Sequence, residues 1–213
     1  MIFHDRIAAG RALADALASY KNQDVIVLAL PRGGVVLGAV IAEALSAPLD
    51  VVVARKLGMP GNDEYAIGAL TEDGEPMMNP EAVGAVPKEE LKKLIVKKRL
   101  EIKARLAKYR AGQAAWPIKN KIAIIVDDGV ATGMTMSAAL KSVRAREPKK
   151  IVLAVPHGVA ESMERLKKTS DEVITFSPPP FYSAVAQSYE EFPQVEDEEV
   201  IRILKNSRQI KNR

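Results

Sequence analysis

The chain has 213 residues, of which 47% are hydrophobic and 27% are charged, so a core large enough for one domain over residues 1–213 is expected. It contains no cysteine, which excludes structural disulfides, cysteine nucleophiles and thiolate metal sites, and its two histidines are too few for a histidine-rich metal cluster. No run approaches the roughly eighteen apolar residues that a membrane-spanning helix needs, and we therefore expect a cytoplasmic protein. The formal net charge of +4 weakly favours an anionic partner.

The pattern of apolar residues predicts an alternation of helices and strands. Residues 1–20 carry charges at intervals, which indicates an amphipathic surface helix and not a signal peptide. Short runs rich in Val and Ile predict strands that are covered on both faces, at residues 25–30, 49–54, 121–126, 151–155 and 172–176. Helical patterns follow the first, third and fourth of these runs, at residues 34–47, 135–146 and 159–168. The alternation predicts an α/β fold, doubly wound around a mostly parallel sheet.

The remaining segments depart from this alternation. Residues 55–83 have no helical period, and Asp73-Gly74 predicts the turn of a β-hairpin within them. A segment of this length in a compact domain is usually functional or mobile. One long helix is predicted at residues 87–112, and residues 177–204 are rich in proline and aromatic residues and end in a short helix.

The stretch IVDDGVATGMT at residues 125–135 has features that neither a packed strand nor an ordinary turn requires. Asp127 and Asp128 end an apolar strand, at the edge where ligands bind in open α/β sheets. Small residues and a helix follow at once, so backbone amides converge where a phosphate is the natural ligand. Paired carboxylates beside a phosphate accept hydrogen bonds from sugar hydroxyls or hold a divalent cation. A helix cap is the simpler explanation, but one aspartate would suffice for it.

This stretch resembles the phosphoribosyl pyrophosphate (PRPP) motif of the type I phosphoribosyltransferases. The motif consists of an apolar strand, an acidic pair and a small loop that closes on Thr-Gly-x-Thr. The resemblance implies that Asp127 and Asp128 contact the ribose 2- and 3-hydroxyls. It also implies a 5-phosphate site formed by Val130, Ala131, Thr132, Gly133, Met134 and Thr135. One departure is Gly129, where the family often has an aliphatic residue.

The turn in LALPRGGVVLG, residues 28–38, extends the resemblance to the first strand. In the family this turn binds pyrophosphate, often through an unusual peptide geometry that glycine tolerates. The resemblance assigns this role to Arg32, Gly33 and Gly34. A plain turn between strand and helix with an exposed arginine is the alternative interpretation.

The stretch VVVARKLGMPG, residues 51–61, gives a third match. The resemblance implies that Arg55 and Lys56 meet the pyrophosphate, whereas charge at a strand end is the alternative. The segment that follows corresponds to the flexible loop that closes over the substrate in this family. Its polar tip would consist of Asn62, Asp63, Glu64 and Tyr65. With these segments the resemblance covers residues 22–176.

The resemblance implies transfer of ribose 5-phosphate from PRPP to a nitrogen nucleophile, with release of pyrophosphate. No covalent nucleophile is needed for this reaction. Mg²⁺ is implied as a cofactor that is bound mainly through PRPP and not by direct protein ligands. The catalytic residues that the resemblance implies are Asp127, Asp128, Arg32 and Lys56.

The acceptor is not identified by the sequence. In the family a variable hood recognises it, and residues 177–204 are the expected hood here. Its candidates for stacking on an acceptor are Phe181, Tyr182, Tyr189 and Phe192. The alternative is that these aromatic residues bury the tail against the sheet. His157 follows a strand at the same sheet edge, where it either touches substrate or serves as a loop histidine.

A second interpretation keeps the fold but not the reaction. A non-catalytic module that binds PRPP or a nucleotide would need the phosphate loop, and its basic helix at residues 87–112 would be available to nucleic acid. Nucleic acid is disfavoured because aromatic residues are only 5% of the chain. The expected partners are therefore PRPP and an unknown acceptor, without a membrane. The resemblance also suggests a homodimer.

Overall fold

The computed structural model describes residues 1–79, 82, 84 and 86–211. The strands in this part of the chain are β1 (Val25–Ala29), β2 (Leu49–Val51), β3 (Ala54–Met59), β4 (Asn62–Thr71), β5 (Met77–Met78), β6 (Ile122–Val126), β7 (Lys150–Ala154) and β8 (Glu172–Ile174). The α-helices are α1 (Arg6–Ala16), α2 (Gly34–Leu45), α3 (Lys88–Arg110), α4 (Met134–Arg144), α5 (Ala160–Lys167) and α6 (Asp197–Lys211).

The main sheet has five strands in the order β2–β1–β6–β7–β8, and each neighbouring pair is parallel. Helices α2, α4 and α5 follow β1, β6 and β7 along the chain, as the alternating pattern predicted. The predicted α/β fold with a mostly parallel sheet is thereby confirmed. Since β1 and β6 are neighbours with Ala29 opposite Val126, the segments that leave their carboxyl ends start side by side.

Alternate residues of the strands divide the core into two layers, as the pleat of a sheet requires. In β1, Val25, Val27 and Ala29 join a cluster that contains buried side chains of α1, α2, α3 and α6. Ile26 and Leu28 point to the other face and join a cluster with α4 and α5. Both faces of the main sheet are therefore covered by helices. This arrangement explains why its strands are almost continuously apolar.

A second, antiparallel sheet corrects the prediction for the segment after β2. The predicted strand at residues 49–54 ends at Val51, and β3 begins a new sheet at Ala54 with the order β3–β4–β5. The first half of residues 55–83 is a hairpin that turns at Gly61, whose φ is +81°. The pairing of β3 with β4 is irregular around Gly58, and this irregularity hid the strand pattern in the sequence. The predicted turn at Asp73-Gly74 is confirmed, since it joins β4 to β5.

The segment before α1 pairs with residues 188–190. The Phe3 amide donates to the Ser188 carbonyl at 2.8 Å, and the Glu190 amide donates to the Phe3 carbonyl at 2.9 Å. The expected hood, residues 177–204, is thereby joined to the segment that precedes α1. Within the described ranges, no helix is both long enough and apolar enough to cross a membrane.

Candidate phosphate and ribose site

Asp128 forms an ion pair with an arginine from the other end of the sequence. The Arg6 Nε donates to Asp128 Oδ2 at 2.9 Å, and the two side chains are 9% and 15% exposed. The same guanidinium donates through Nη1 to the Pro193 carbonyl at 2.6 Å and lies 3.8 Å above the ring of Phe192. Helix α1 and the hood therefore both hold the cation that neutralises Asp128. Sequence reasoning missed Arg6, because its charge fits the exposed face of any amphipathic helix.

Asp127 has a different electrostatic environment from its neighbour. Its Oδ1 accepts a hydrogen bond from the Asp128 amide at 2.9 Å. Burial, followed by the charge of Asp128, raises the pKa of Asp127 well above its usual value. The acid pair is thus asymmetric: Asp128 is ion-paired with Arg6, whereas burial disfavours the charged form of Asp127. A hydroxyl donor or a cation at Asp127 would relieve that cost.

The loop after the acid pair presents a row of backbone amides without partners. In the described part of the chain, the amides of residues 131–136 donate to no backbone or side-chain acceptor. Helix α4 begins directly after Gly133, which has φ of +71° and provides no side-chain cap. Because the first amides of a helix also carry its positive dipole end, this loop favours an anion. The loop contains the residues that were predicted to bind the 5-phosphate.

The predicted pyrophosphate turn packs directly against the acid pair. A Cβ atom on Gly33 would overlap the Asp128 carboxylate, and one on Gly34 would lie 2.9 Å from the Asp127 Cα, so glycine is required for this close approach. The peptide bond between Pro31 and Arg32 is cis. The amides of residues 32–34 also have no acceptor among the described residues. The structure therefore brings together two predicted motifs that are almost a hundred residues apart in the sequence.

The Arg32 side chain forms an ion pair in this structure. Its Nη1 donates to Glu196 Oε2 at 2.9 Å, and the side chains are 32% and 57% exposed. Glu196 precedes α6 in the hood, next to Asp197, which accepts a hydrogen bond from the Tyr109 hydroxyl at 2.6 Å. This hydrogen bond lowers the pKa of Asp197. Sequence reasoning missed Glu196 as well, since acidic residues near the start of a helix are ordinary.

Arg55 and Lys56 belong to the second sheet and not to a strand end of the first. They lie in β3, opposite Leu70 and Ala69 of β4. The Arg55 Nε is buried and has no hydrogen-bond partner among the described residues, whereas Lys56 is exposed. Their predicted contact with pyrophosphate therefore stays a prediction.

The predicted polar tip follows in the same hairpin. Asn62 pairs with Met59 at the start of β4, and the Tyr65 side chain is exposed. The side chains of Asp63 and Glu64 lie outside the described residues.

The aromatic residues of the hood have two distinct arrangements. Tyr189 and Phe192 stack on each other with centroids 5.0 Å apart, and the Tyr189 hydroxyl donates to the Asp128 carbonyl at 2.6 Å. Tyr189 therefore packs against the acid pair and Phe192 against Tyr189 and Arg6, which favours the burial interpretation for both rings. Phe181 is 97% exposed, and Tyr182 is half-buried.

The hood also explains the unusual glycine after the acid pair. A Cβ atom on Gly129 would lie 2.7 Å from Val185 Cγ1 and 2.9 Å from the Tyr182 hydroxyl. The space that an aliphatic side chain would fill at this position is therefore occupied by hood side chains.

His157 is a buried residue of the loop between β7 and α5. Its Nδ1 lies 2.9 Å from Ser188 Oγ, and its Nε2 is buried without a partner in the described residues. Burial, followed by the charge of the N-terminal ammonium group, lowers its pKa to about 4, so the ring is neutral at pH 7. Its carbonyl accepts a hydrogen bond from the Val130 amide at 3.0 Å. His157 therefore supports the loop through its backbone.

In the described residues, paired carboxylates lie beside two turns whose amides have no acceptor, an arrangement that suits a phosphorylated polyhydroxy ligand in an α/β protein. The particular family follows from sequence comparison. The chain belongs to the phosphoribosyl transferase domain family, whose sequence profile matches residues 3–191.

Relatives of similar sequence share this family and this fold. Two Mycobacterium tuberculosis proteins provisionally named phosphoribosyl transferases, MT0597 of strain CDC 1551 and Rv0571c of strain H37Rv, are each 42% identical over 210 residues. Each alignment covers 95% of this chain and 46% of the relative, so the chain spans about half the length of these relatives. The crystal structure of TT1426 from Thermus thermophilus is 41% identical, with a TM-score of 0.83 over 97% of this chain and 99% of that chain.

Proposed function

We propose that the protein is a pentosyltransferase that moves ribose 5-phosphate from PRPP to a nitrogen atom of an acceptor base and releases pyrophosphate. The observation that carries this proposal is the row of unpartnered amides at residues 131–136 directly after the acid pair. Membership of the phosphoribosyl transferase domain family supports PRPP as the donor. The acceptor is left open by both the site and the relatives.

The geometry suggests a division of roles along the sheet edge. The amides after Val130 and the Thr135 hydroxyl would bind the 5-phosphate, because a helix N-terminus favours that charge. The ribose hydroxyls would donate to Asp127 and Asp128. The amides of residues 32–34, whose turn packs against the acid pair, would bind the pyrophosphate. The two phosphate-binding turns would thus flank the ribose, as PRPP requires.

The residues present fit a divalent cation that arrives with the substrate. Mg²⁺ prefers oxygen ligands and commonly takes one or two carboxylates together with phosphate oxygens. Among the described residues no group of three or more acidic, histidine or cysteine side chains could hold a metal ion, so PRPP would supply the other ligands. Asp127 is the better candidate ligand, since Asp128 is already paired with Arg6. When bound, Mg²⁺ would supply positive charge to the leaving pyrophosphate.

The reaction needs positioned charge and not a covalent nucleophile. The bond between ribose C1 and the pyrophosphate oxygen breaks with its electron pair on oxygen, the acceptor nitrogen bonds to C1, and a nitrogen-bound proton leaves for solvent or a base. Arg32, Arg55 and Lys56 would stabilise the negative charge that develops on the pyrophosphate. Closure of the hairpin that carries Arg55 and Lys56 would bring their charges to the turn.

The experiment that tests the proposal is calorimetric titration with PRPP, with and without Mg²⁺, on the wild type and Asp127→Asn. We expect binding that depends on Mg²⁺ and is lost in the variant. Asp15→Asn, which removes a charge from the exposed face of α1, serves as the matched control and should bind normally. Retained PRPP affinity in Asp127→Asn would contradict the assigned site, and absence of binding to the wild type would contradict the proposed donor.

The stability of Asp127→Asn tests whether the Asp127 carboxylate serves function or supports the fold. Because the pKa of Asp127 is raised in the folded state, its charged form destabilises folding, and this penalty grows as the pH rises through that pKa. Asparagine removes the penalty, so the melting temperature of Asp127→Asn relative to the wild type should rise as the pH is raised. A melting temperature that falls would show that Asp127 supports the fold.

A binding module without catalysis is the second candidate. It is favoured by the pairing of Arg32 with Glu196, which engages one of the proposed cations in this structure. Release of pyrophosphate from PRPP in the presence of a panel of purine and pyrimidine bases distinguishes the two candidates. Binding of PRPP without release in any reaction would favour the module.

A further inference from the structure

Helix α5 holds the loop after the acid pair through three consecutive carbonyl groups. The Val130 carbonyl accepts a hydrogen bond from the Val159 amide at 2.9 Å. Ser162 Oγ donates to the Ala131 carbonyl at 2.7 Å, and Arg165 Nη2 donates to the Thr132 carbonyl at 2.8 Å. All three donors lie at the start of α5 or within it.

These bonds determine the direction of the amides that the proposed site uses. In a trans peptide the carbonyl of one residue and the amide of the next point in opposite directions. Carbonyl groups of Val130, Ala131 and Thr132 that point towards α5 therefore turn the amides of residues 131–133 away from it. These are the first amides of the unpartnered row.

The two side chains of α5 also support each other. Arg165 Nη2 lies 3.2 Å from Ser162 Oγ, and Arg165 Nη1 donates to Glu161 Oε1 at 2.7 Å. Ser162 is buried, and its Cβ is 3.2 Å from the position that a Cβ on Gly133 would occupy. The loop therefore has little room to turn its peptides over while Ser162 is in place.

We infer that Ser162 and Arg165 are positioning residues for the 5-phosphate: they do not touch the ligand but fix the carbonyl groups of the loop so that its amides face the phosphate. This inference rests on the proposed function and names two residues of α5 that the PRPP motif does not contain. Ser162 is the stronger of the two, because its hydroxyl is buried whereas the Arg165 side chain is 52% exposed.

The test is Ser162→Ala, with Ser170→Ala as the matched control. Ser170 also donates from Oγ to a backbone carbonyl, that of Leu166, at 2.9 Å, but it lies beyond the end of α5 and away from the loop. Ribose 5-phosphate and inorganic pyrophosphate are titrated separately by calorimetry. Ser162→Ala should weaken ribose 5-phosphate binding about tenfold, the effect of one hydrogen bond that orders the site, and leave pyrophosphate binding unchanged. Ser170→Ala should change neither.

Two results would overturn the inference. Unchanged affinity for ribose 5-phosphate in Ser162→Ala would show that the hydroxyl does not position the loop. Equal weakening of both ligands would show that the substitution loosens the whole protein, and a positioning role would be refuted.

Hydrogen exchange on the ligand-free protein tests the inference independently of the proposed function. The Val130 and Val159 amides, which donate to the His157 and Val130 carbonyls, should exchange faster in Ser162→Ala than in the wild type, and no faster in Ser170→Ala. Should the wild type bind neither ligand, the proposed function fails, and these exchange rates still decide whether Ser162 orders the loop. Equal rates in the wild type and Ser162→Ala overturn it.

Discussion

The ion pair between Arg6 and Asp128 makes a prediction about stability that the sequence motif alone does not contain. Arg6→Met keeps much of the aliphatic length and removes the guanidinium. The two side chains are 9% and 15% exposed, so the carboxylate that remains is largely shielded from water. Loss of one partner of a buried pair costs about 3–5 kcal/mol, and the residual exposure places our expectation at about 3 kcal/mol of unfolding free energy.

The reciprocal variant is expected to cost less. In Asp128→Asn the Arg6 guanidinium keeps its hydrogen bond to the Pro193 carbonyl and its contact with the Phe192 ring, and the new amide oxygen can still accept from it. We expect a loss of about 1–2 kcal/mol. Once the carboxylate is gone, removal of Arg6 no longer leaves an unpaired charge, so the double variant should be more stable than the sum predicts by about 1.5 kcal/mol.

Urea unfolding of the wild type, both single variants and the double variant at pH 7 measures this coupling. Arg11→Met, on the exposed face of the same helix, is the control and should lie within about 0.5 kcal/mol of the wild type. Additive effects of the Arg6 and Asp128 substitutions, within about 0.5 kcal/mol, would refute the argument. The same measurement is needed to interpret PRPP binding by Asp128→Asn. A loss of binding in this variant indicates a lost ribose contact only if the variant is still folded.

Two further substitutions test the surroundings of the acid pair. Burial, followed by the charge of the N-terminal ammonium group, lowers the pKa of His157 from 6.5 to about 4, so between these values the unfolded chain binds a proton that the folded chain does not. The free energy of unfolding therefore decreases as the pH falls from 6.5 to about 4. His157→Gln should reduce this decrease by up to about 3 kcal/mol, measured by urea unfolding at each pH. An unchanged pH dependence in the variant would contradict the lowered pKa of His157. Glu196→Gln should remove a competitor for Arg32 and tighten calorimetrically measured binding of inorganic pyrophosphate about threefold. Glu190→Gln removes the same charge elsewhere in the hood and should not tighten pyrophosphate binding. Equal tightening in both variants would indicate a general effect of charge.

The main sheet could be predicted because its signal is local. Runs such as VIVLAL and KIAIIV are too short for helices and too continuously apolar for strands with a solvated face, which leaves the buried strands of a parallel sheet. The position of the acid pair follows from the same signal, since Asp127 directly follows the last apolar residue of β6. Strand β3 of the second sheet was missed because Gly58 and Gly61 indicate loop, whereas in the structure they form an irregular pairing and a tight turn.

The partners of the acid pair could not be predicted because they are tertiary. Arg6 and Asp128 are separated by 122 positions, and nothing in the local sequence of either residue indicates the other. Ser162 likewise resembles any small residue of an amphipathic helix in the sequence. Its inferred role depends on the tertiary contact between α5 and the carbonyl of Ala131. The departure from the motif at Gly129 is a signal that could have been used, because Tyr182 and Val185 lie where an aliphatic side chain would stand.

The asymmetry of the acid pair bears on how an anionic substrate can approach it. Two unpaired carboxylates beside the two turns would repel the phosphates that these turns are proposed to bind. The Arg6 guanidinium forms an ion pair with Asp128, and the raised pKa of Asp127 favours its neutral form until a cation or a hydroxyl group binds to it. Tyr189 fixes the same backbone through the Asp128 carbonyl, so the hood and α1 hold the pair in place together. In the proposed function, this arrangement would let the two acids accept hydrogen bonds from the ribose hydroxyls without weakening the two proposed phosphate sites.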